Sequence, residues 1–329
     1  MKKLCTLFLV LCLLFTAGCG RQKTEDTGSQ NLIRVGFSQV GSESDWRIAN
    51  TKSMTEALSE ENGFELLFDN AKQKQENQFL AIRNFILQEV DYIVIAPIAE
   101  YGWDNVLEEA HAAGIPVIIM DRQIQVSDDS LYTCRVGSDF YAEGRTAVDW
   151  LTQTLKEEGR AEDTIRILHI QGTDGATAQL MRTKALVDAV ADRERWNIVE
   201  VLKGEYTEAK SYELVRDFLE TGQKFDVIYS ENDNMTFGAI RALDEAGITY
   251  GPDGDVIIIS FDAVRQALQY CIEGKIDLCV ECNPLHGPRV ADIIRRLEHG
   301  HTLPKKNYLE ENSFTAGSLI PELIDLRQY

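Results

Sequence analysis

Five adjacent residues near the start of the chain carry side chains that could hold a sugar: Glu43, Ser44, Asp45, Trp46 and Arg47. The indole of Trp46 can stack on the C–H face of a sugar ring, while Arg47 and Glu43 offer a donor fork and an acceptor for hydroxyl groups. These residues follow an apolar, strand-like run at 33–37 and precede helical spacing of apolar residues at 46–58. Ligands of parallel α/β sheets bind at such turns, so the loop predicts a binding site.

Polar side chains also follow other apolar runs, at the same kind of turn. They are Asp121 and Arg122 after 116–120, Arg182 in the segment beyond the Gly-rich turn 171–177, Asn232 after 227–229, and Asp262, next to Phe261, after 256–260. Carboxylate and guanidinium groups make charge-assisted hydrogen bonds, which are stronger than neutral ones. The Gly-rich turn lacks both the Lys-Ser/Thr pair of a P-loop and GxGxxG spacing, which disfavours a phosphate site. An isolated Asp-Arg pair is more often a surface ion pair, and Asn and Asp are common helix caps.

The elements that must position these side chains alternate regularly along the chain. Amphipathic segments with helical spacing separate the apolar runs, which predict strands at 33–37, 66–68, 92–96, 117–120, 165–170, 198–202, 227–229 and 256–260. Such alternation is typical of parallel sheets covered by helices on both faces. A change of character near 135–139 suggests two similar doubly wound lobes, with the ligand cleft between them. The predicted fold class is therefore α/β.

The first residues have the features of an export signal. Two lysines, an apolar run at 4–15 and small residues precede Cys19, so 1–18 is predicted to be a signal peptide. Cys19 is then a candidate lipidation site, and the polar segment 19–31 a tether between membrane and domain. The protein is expected on the outer face of the cell membrane or in the periplasm.

Charge and cysteine usage limit the possible partners. The formal net charge is −20, with 53 acidic and 33 basic residues, which argues against nucleic acid and favours a neutral ligand. Beyond the leader, the cysteines are Cys134, Cys271, Cys279 and Cys282. The CxxC spacing at 279–282 lies in a predicted strand, where positions three apart face opposite sides, so a metal site is disfavoured. Buried thiols or one disulfide remain open, because connectivity cannot be derived from sequence.

The loop at 41–47 resembles the first binding loop of galactofuranose-binding proteins of bacterial sugar ABC importers, within the ribose/galactose class of periplasmic binding proteins. The resemblance extends over essentially the whole mature chain and implies the type I fold. It implies an amino-terminal lobe of 32–138 plus 283–311 and a carboxyl-terminal lobe of 139–282 plus 312–329, with crossings near Ser138, Cys282 and Glu311.

The resemblance also assigns ligand contacts. Asp121 and Arg122 bind hydroxyls and the ring oxygen, Arg182 reaches the sugar, Asn232 binds hydroxyls, and Phe261 and Asp262 supply a stacking ring and an acceptor. At Cys282 some relatives have a ligand-binding glutamine, so this position is left out of the predicted site. The expected ligand is a neutral monosaccharide, galactofuranose or a related furanose. The other expected partners are ABC permease subunits and, through the lipid anchor, the membrane. The protein is expected to be a monomer without cofactor or metal.

Two other functions are considered. A sugar sensor would present its closed form to a receptor kinase instead of a permease. A glycosidase would use carboxyl groups facing the cleft, for which Glu43, Asp121 and Asp262 are candidates. The arginines beside them are expected to hold all three ionised, which leaves no general acid and argues against an enzyme.

Overall fold

The apolar runs of the sequence form two separate six-stranded sheets. This computed structural model describes residues 32–319 and 321–329. Its strands are β1 (Ile33–Gln39), β2 (Phe64–Asn70), β3 (Tyr92–Ile95), β4 (Val117–Met120), β5 (Cys134–Gly137), β6 (Ile165–Gln171), β7 (Trp196–Lys203), β8 (Val227–Ser230), β9 (Ile257–Asp262), β10 (Leu278–Glu281), β11 (Lys306–Tyr308) and β12 (Ser313–Phe314). The sheet orders are β11-β5-β4-β3-β1-β2 and β12-β10-β9-β8-β6-β7. Neighbouring strands are parallel except for the pair β10 and β12.

Although β4 leads to β5 through a 3₁₀ turn at Asp129–Leu131, helices lie between most consecutive strands. They are α1 (Asp45–Ala57), α2 (Gln75–Leu87), α3 (Asp104–Ala112), α4 (Phe140–Glu157), α5 (Thr177–Ala191), α6 (Glu208–Glu220), α7 (Asp233–Ala246), α8 (Arg265–Ile272), α9 (Gly287–Glu298) and α10 (Pro321–Leu326). The helix α7 shows how local chemistry sets the bounds: the Asn232 side chain caps its first turn, and Gly247 ends it in the left-handed conformation.

Both faces of each sheet are covered by apolar packing. In β3, Tyr92 and Val94 belong to one buried cluster, and Ile93 and Ile95 belong to the cluster on the opposite face. Strands buried on both faces are typical of parallel sheets between two helix layers, which explains their continuous apolar runs. The predicted class, two doubly wound α/β lobes of the type I periplasmic binding protein fold, is confirmed.

The chain passes between the two sheets after β5, after β10 and between β11 and β12. The strands β5, β11 and β12 were not among the predicted strands. In the described ranges, no helix has both the length and the apolarity needed to span a bilayer. The predicted signal peptide 1–18, lipidation site Cys19 and tether 19–31 lie outside the described residues.

Candidate functional site

The carboxyl ends of strands from both sheets surround one polar recess. Nine of the eleven predicted ligand-binding residues line it, together with four residues that were not predicted. The wall consists of Glu43, Ser44, Trp46, Arg47, Asp121, Arg122, Phe140, Ala178, Arg182, Tyr206, Asn232, Asp262 and Cys282. Asp45 and Phe261 lie outside this wall.

Arg47 is the centre of the ion pairs on the first-sheet side. Ser44 caps α1 by accepting a hydrogen bond from the Arg47 backbone N–H, which fixes the start of the helix. The guanidinium, 3% exposed, donates from Nε to Glu43 Oε1 at 3.0 Å and lies 2.7 Å from Asp121 Oδ2. Burial alone would raise the pKa of Asp121, but Arg47 and Arg122 outweigh it and lower that pKa.

Trp46 is held rigidly at the wall of the recess. Its Nε1–H donates to the carbonyl oxygen of Cys282 at 2.6 Å, and its ring meets the His286 ring edge-on at a centroid distance of 5.7 Å. The Arg47 guanidinium lies 4.7 Å from the indole centroid. A fixed indole can offer a stacking surface at little entropic cost.

Arg182 is the matching arginine on the second-sheet side. It projects from α5, and Glu143 Oε2 accepts from its Nε at 2.7 Å, while Asp262 Oδ1 lies 3.5 Å from its terminal nitrogen. The predicted residue Phe261 is buried behind it, with the guanidinium 4.8 Å from the ring centroid. Phe261 therefore supports Arg182 and does not face the recess.

For Asp262 the direction of the pKa shift is opposite to the one expected. Burial raises the pKa of Asp262 well above its ordinary value; Arg182, whose terminal nitrogen lies 3.5 Å away, lowers it, and the nearby carboxyls of Asp233 and Glu143 add to the rise. Asp121, by contrast, has an Arg47 nitrogen at 2.7 Å and Arg122 nearby, and its pKa is lowered.

Arg122 and Asn232 complete the predicted set. The Arg122 guanidinium donates to the carbonyl oxygen of Ile98 at 2.9 Å and lies 5.5 Å from the Tyr206 ring centroid. Asn232 Oδ1 accepts from the backbone N–H of Met235 at 2.9 Å, so the residue is itself a helix cap. Capping uses the side-chain oxygen and leaves the amide N–H donors for the recess.

Sequence reasoning missed Phe140, Ala178 and Tyr206, and left out Cys282. Tyr206 follows β7, so its place after a strand was the signal that could have found it. Its hydroxyl is buried and has no hydrogen-bond partner among the described residues. A Cβ on Gly172 would lie 1.9 Å from Tyr206 Cζ, so the ring packs where only glycine leaves room.

Three wall residues have positive φ angles: 64° at Asp121, 63° at Tyr206 and 107° at Asp262. Residues other than glycine rarely adopt this region, and each such residue costs on the order of 1–3 kcal/mol. These wall residues are three of the eight non-glycine residues with positive φ in the described part of the chain, and strained backbone of this kind is often found at functional sites.

Asp45 forms a clasp between the two sheets, outside the recess. Its backbone N–H donates to Asn234 Oδ1 at 3.1 Å, and its Oδ2 accepts from Asn234 Nδ2 at 3.0 Å. A second inter-sheet contact runs through Thr177 Oγ1, which donates to Glu100 Oε1 and accepts from the Gln123 N–H, each at 2.8 Å. Both contacts therefore join segments that follow strands of different sheets, next to the recess.

The four cysteines in the described part of the chain are buried free thiols. Cys279 Sγ lies 3.4 Å from Asp233 Oδ1, whereas Cys282 Sγ lies 3.3 Å from Ser138 Oγ. The two residues of the CxxC pattern therefore have different neighbours, as expected for a strand.

Two similar α/β lobes that enclose a polar recess define a solute-binding protein of the two-lobed type. The sequence of residues 35–286 matches the protein-family model described as periplasmic binding protein domain. Over 284 residues, the chain is 34% identical to the galactofuranose-binding protein YtfQ of Escherichia coli (strain K12), covering 85% of this chain and 87% of that protein. The chain belongs to the periplasmic binding protein family.

Solved structures with similar folds include two with bound furanose sugars. The binding component of the arabinose ABC transporter from Shewanella sp. ANA-3, bound to α- and β-L-arabinofuranose, is 38% identical with a TM-score of 0.82, covering 90% of this chain and 95% of that one. A Mycobacterium smegmatis protein in complex with β-D-fucofuranose is 35% identical with a TM-score of 0.82, covering 87% and 92%.

Proposed function

We propose that this protein is the solute-binding component of an ABC sugar importer and that it captures a neutral monosaccharide, in furanose form, between its two lobes. The chemistry is binding only. The relatives from Escherichia coli, Shewanella and Mycobacterium smegmatis, whose descriptions name galactofuranose, arabinofuranose and fucofuranose, support a furanose as the ligand. The net charge of −20 favours an uncharged one.

One observation carries the proposal: the closed recess contains buried polar atoms that the described part of the protein does not satisfy. Glu43 Oε2 and the Tyr206 hydroxyl are both buried without partners, and both belong to the wall of the recess. A buried polar atom without a partner costs about 1–3 kcal/mol, so a ligand rich in hydroxyl groups is what this site lacks. Sugar hydroxyls can donate to Glu43 and pair with Tyr206 at once.

The lobes are proposed to be 32–138 plus 283–311 and 139–282 plus 312–329. Sheet membership supports these bounds: β1–β5 and β11 form one sheet, and β6–β10 and β12 form the other. Closure is a hinge motion about the connecting segments. The Asp45–Asn234 clasp supports closure, because it joins helices that follow strands of different sheets.

The remaining parts of the proposal concern location and partners. Cys19, after an apolar run and small residues, supports a lipid anchor on the outer face of the membrane. The closed lobes would present the sugar to ABC permease subunits, with the binding protein acting as a monomer. Labelling with a palmitate analogue tests the anchor, since Cys19→Ser should abolish incorporation.

The function is tested by thermal unfolding of the domain without residues 1–30 in the presence of galactofuranose, D-galactose, L-arabinose, D-ribose or D-glucose. A ligand at a hundred times its Kd stabilises the folded state by about 2.7 kcal/mol, which corresponds to a shift of roughly 5 °C or more. The carbon-13 resonance of the labelled anomeric carbon then identifies the ring form of the bound sugar. No shift with any of these sugars would refute the assigned ligand class.

The properties of Asp262 favour a glycosidase as the second candidate function. Its pKa is raised mainly by burial, whereas that of Asp121 is lowered by its arginines, and such a pair could supply an acid and a base. Analysis of methyl glycosides and disaccharides for released sugar after incubation decides this point. Release that is lost in Asp262→Asn would establish an enzyme, and binding without release supports a carrier.

A sugar sensor, the other alternative function, would be distinguished from a transport component by binding to a receptor kinase instead of a permease.

A further inference from the structure

A single carboxyl group joins the three segments that pass between the two sheets. Glu311 lies between β11 and β12, and its Oε1 accepts from Ser138 Oγ at 2.6 Å and from the Asn283 backbone N–H at 2.7 Å. Ser138 directly follows β5, and Asn283 follows β10 by one residue. The position of the Glu311 carboxyl is therefore set by all three crossings.

A second buried carboxyl, Glu143, lies beside it. Glu143 is 4% exposed and belongs to α4, the first helix after the first crossing. Its Oε2 pairs with Arg182 at 2.7 Å, but its Oε1 is buried with no partner among the described residues. Glu143, Glu311 and Cys282 each contribute one atom to a group in which all three atoms lie within 4.8 Å of one another. Two ionised carboxylates at this separation repel each other strongly.

We propose that Glu143 and Glu311 share one proton, and that this singly protonated carboxyl pair positions Arg182 at the wall of the recess. The shared proton gives Glu143 Oε1 the partner that it lacks and removes one of two adjacent negative charges. Glu143 keeps its charge-assisted bond to Arg182, whose terminal nitrogen then remains directed towards Asp262. The consequence for ligand binding rests on the proposed function, in which Arg182 contacts the sugar.

The surrounding charges support one proton on the pair. Burial, followed by the negative charge of Glu143, raises the pKa of Glu311 to about 9, and burial raises the pKa of Glu143. The titratable and charged groups that face the pair are Arg182 from α5, Asp262 from the end of β9, Cys282 after β10 and Arg135 from β5. Burial also raises the pKa of the Cys282 thiol, so it stays neutral beside the pair.

The same three atoms could instead hold a divalent metal, because two carboxylates and a thiol are suitable ligands. The hydrogen bonds favour the proton. Glu311 Oε1 is already occupied by two donors, and Arg182 supplies the positive charge that Glu143 needs. The metal is therefore the alternative that the experiment must exclude.

The direct test uses the ligand-free protein and compares Glu311→Gln with the matched variant Glu310→Gln, whose side chain is exposed. Infrared difference spectra across pH 6–10 should show the C=O band of a carboxylic acid in the wild type and in Glu310→Gln. One component of this band should disappear above the pKa of the pair and be missing from Glu311→Gln, whereas C=O intensity from Asp262, whose pKa is also raised by burial, should be common to all three proteins. Equal C=O intensity in the wild type and in Glu311→Gln at pH 7 would overturn the proposal.

The positioning role is tested by NMR, through the Nε–H resonance of Arg182. This resonance is assigned as the signal that is missing from the spectrum of Arg182→Lys. In the wild type this resonance should shift as the pair loses its proton, and in Glu311→Gln it should remain constant from pH 6 to 10. A resonance that titrates equally in both proteins would refute the coupling. Zn²⁺ that is bound by the wild type and lost in both Glu311→Gln and Cys282→Ser would show that a metal occupies the place assigned to the proton.

Sugar affinity gives a third measurement, with L-arabinose and D-galactose as probes. Above the pKa of the pair, the second negative charge draws Arg182 away from the recess, so wild-type affinity should fall by up to tenfold per pH unit. Glu311→Gln should show a flat profile, and an unchanged wild-type slope in this variant would refute the role in binding. If neither sugar binds, the proposed function fails, while the infrared and Arg182 measurements still decide the shared proton.

Discussion

The clasp between Asp45 and Asn234 predicts that affinity can be weakened from outside the recess. Asn234→Ala removes both hydrogen bonds of the clasp, at 3.0 and 3.1 Å, and leaves every wall residue in place. The sequence had placed Asp45 among the ligand contacts. If the clasp instead stabilises the closed lobes, the variant should lose affinity for every sugar by the same factor.

The size of the effect follows from the two bonds. A partly buried hydrogen bond contributes about 0.5–1.5 kcal/mol net, so the pair contributes about 1–3 kcal/mol to closure. Because a bound sugar requires the closed form, this free energy appears in Kd as an increase of about 5- to 150-fold. The increase should lie mainly in the dissociation rate, since the loss shortens the lifetime of the closed complex.

Calorimetry with several sugars and stopped-flow dissociation measure these quantities. Asn62→Ala is a matched control, because Asn62 Nδ2 also makes two hydrogen bonds, to Glu56 O and Ser59 Oγ, both within one lobe. The control should lose stability without losing affinity. A change in the order of preference among sugars in Asn234→Ala would show a direct ligand contact, and a Kd within twofold of the wild type would refute the clasp.

Three further predictions concern the recess and its surroundings. Tyr206→Phe removes an unpartnered buried hydroxyl, so the empty protein should keep its thermal stability while sugar affinity falls by about 1–3 kcal/mol; a stability loss with unchanged affinity would contradict this. Gly172→Ala should force the Tyr206 ring out of place and weaken binding in calorimetry, whereas Gly317→Ala, which meets no atom within 4 Å, should bind normally. Burial lowers the pKa of His286 from 6.5 to about 4, so the unfolded state binds more protons between these values. About 3 kcal/mol of the free energy of unfolding should therefore be lost as pH falls through this window. Urea unfolding of His286→Asn should show a smaller loss, and an equal loss would assign it to other groups.

Much of the fold could be predicted because buried parallel strands have a simple pattern. The run of β3 is apolar throughout since both of its faces are covered. The strand β11, Lys306–Tyr308, is an edge strand with exposed Lys306 and Tyr308, so no apolar run marks it. The strand β12 has only two residues. Such elements are determined by tertiary pairing and not by local pattern.

The candidate site divides in the same way. Asp121 and Arg122 were predicted because they directly follow the recognisable strand β4, whereas Arg182 lies inside α5 and was assigned by resemblance. Tyr206 was missed although β7 was among the predicted strands, since its positive φ and its packing against Gly172 are visible only in the folded chain. The raised pKa of Asp262 could not be predicted, since its main cause is the depth of burial in the folded protein.

The polar groups that line the recess are held in fixed orientations by the protein itself, and in this respect they can replace the water that surrounds a dissolved sugar. Arg47, Arg122 and Arg182 already have protein partners before any ligand arrives, so their orientations were set when the chain folded. An uncharged solute can exchange its water for these fixed dipoles and leave every ion pair intact. A sugar phosphate or a uronic acid would have to compete with Glu43, Asp121 or Glu143 for an arginine and strand a buried carboxylate. The same ion pairs that build the wall should therefore select against charged ligands, and we expect phosphorylated sugars to bind poorly without a dedicated residue that repels them.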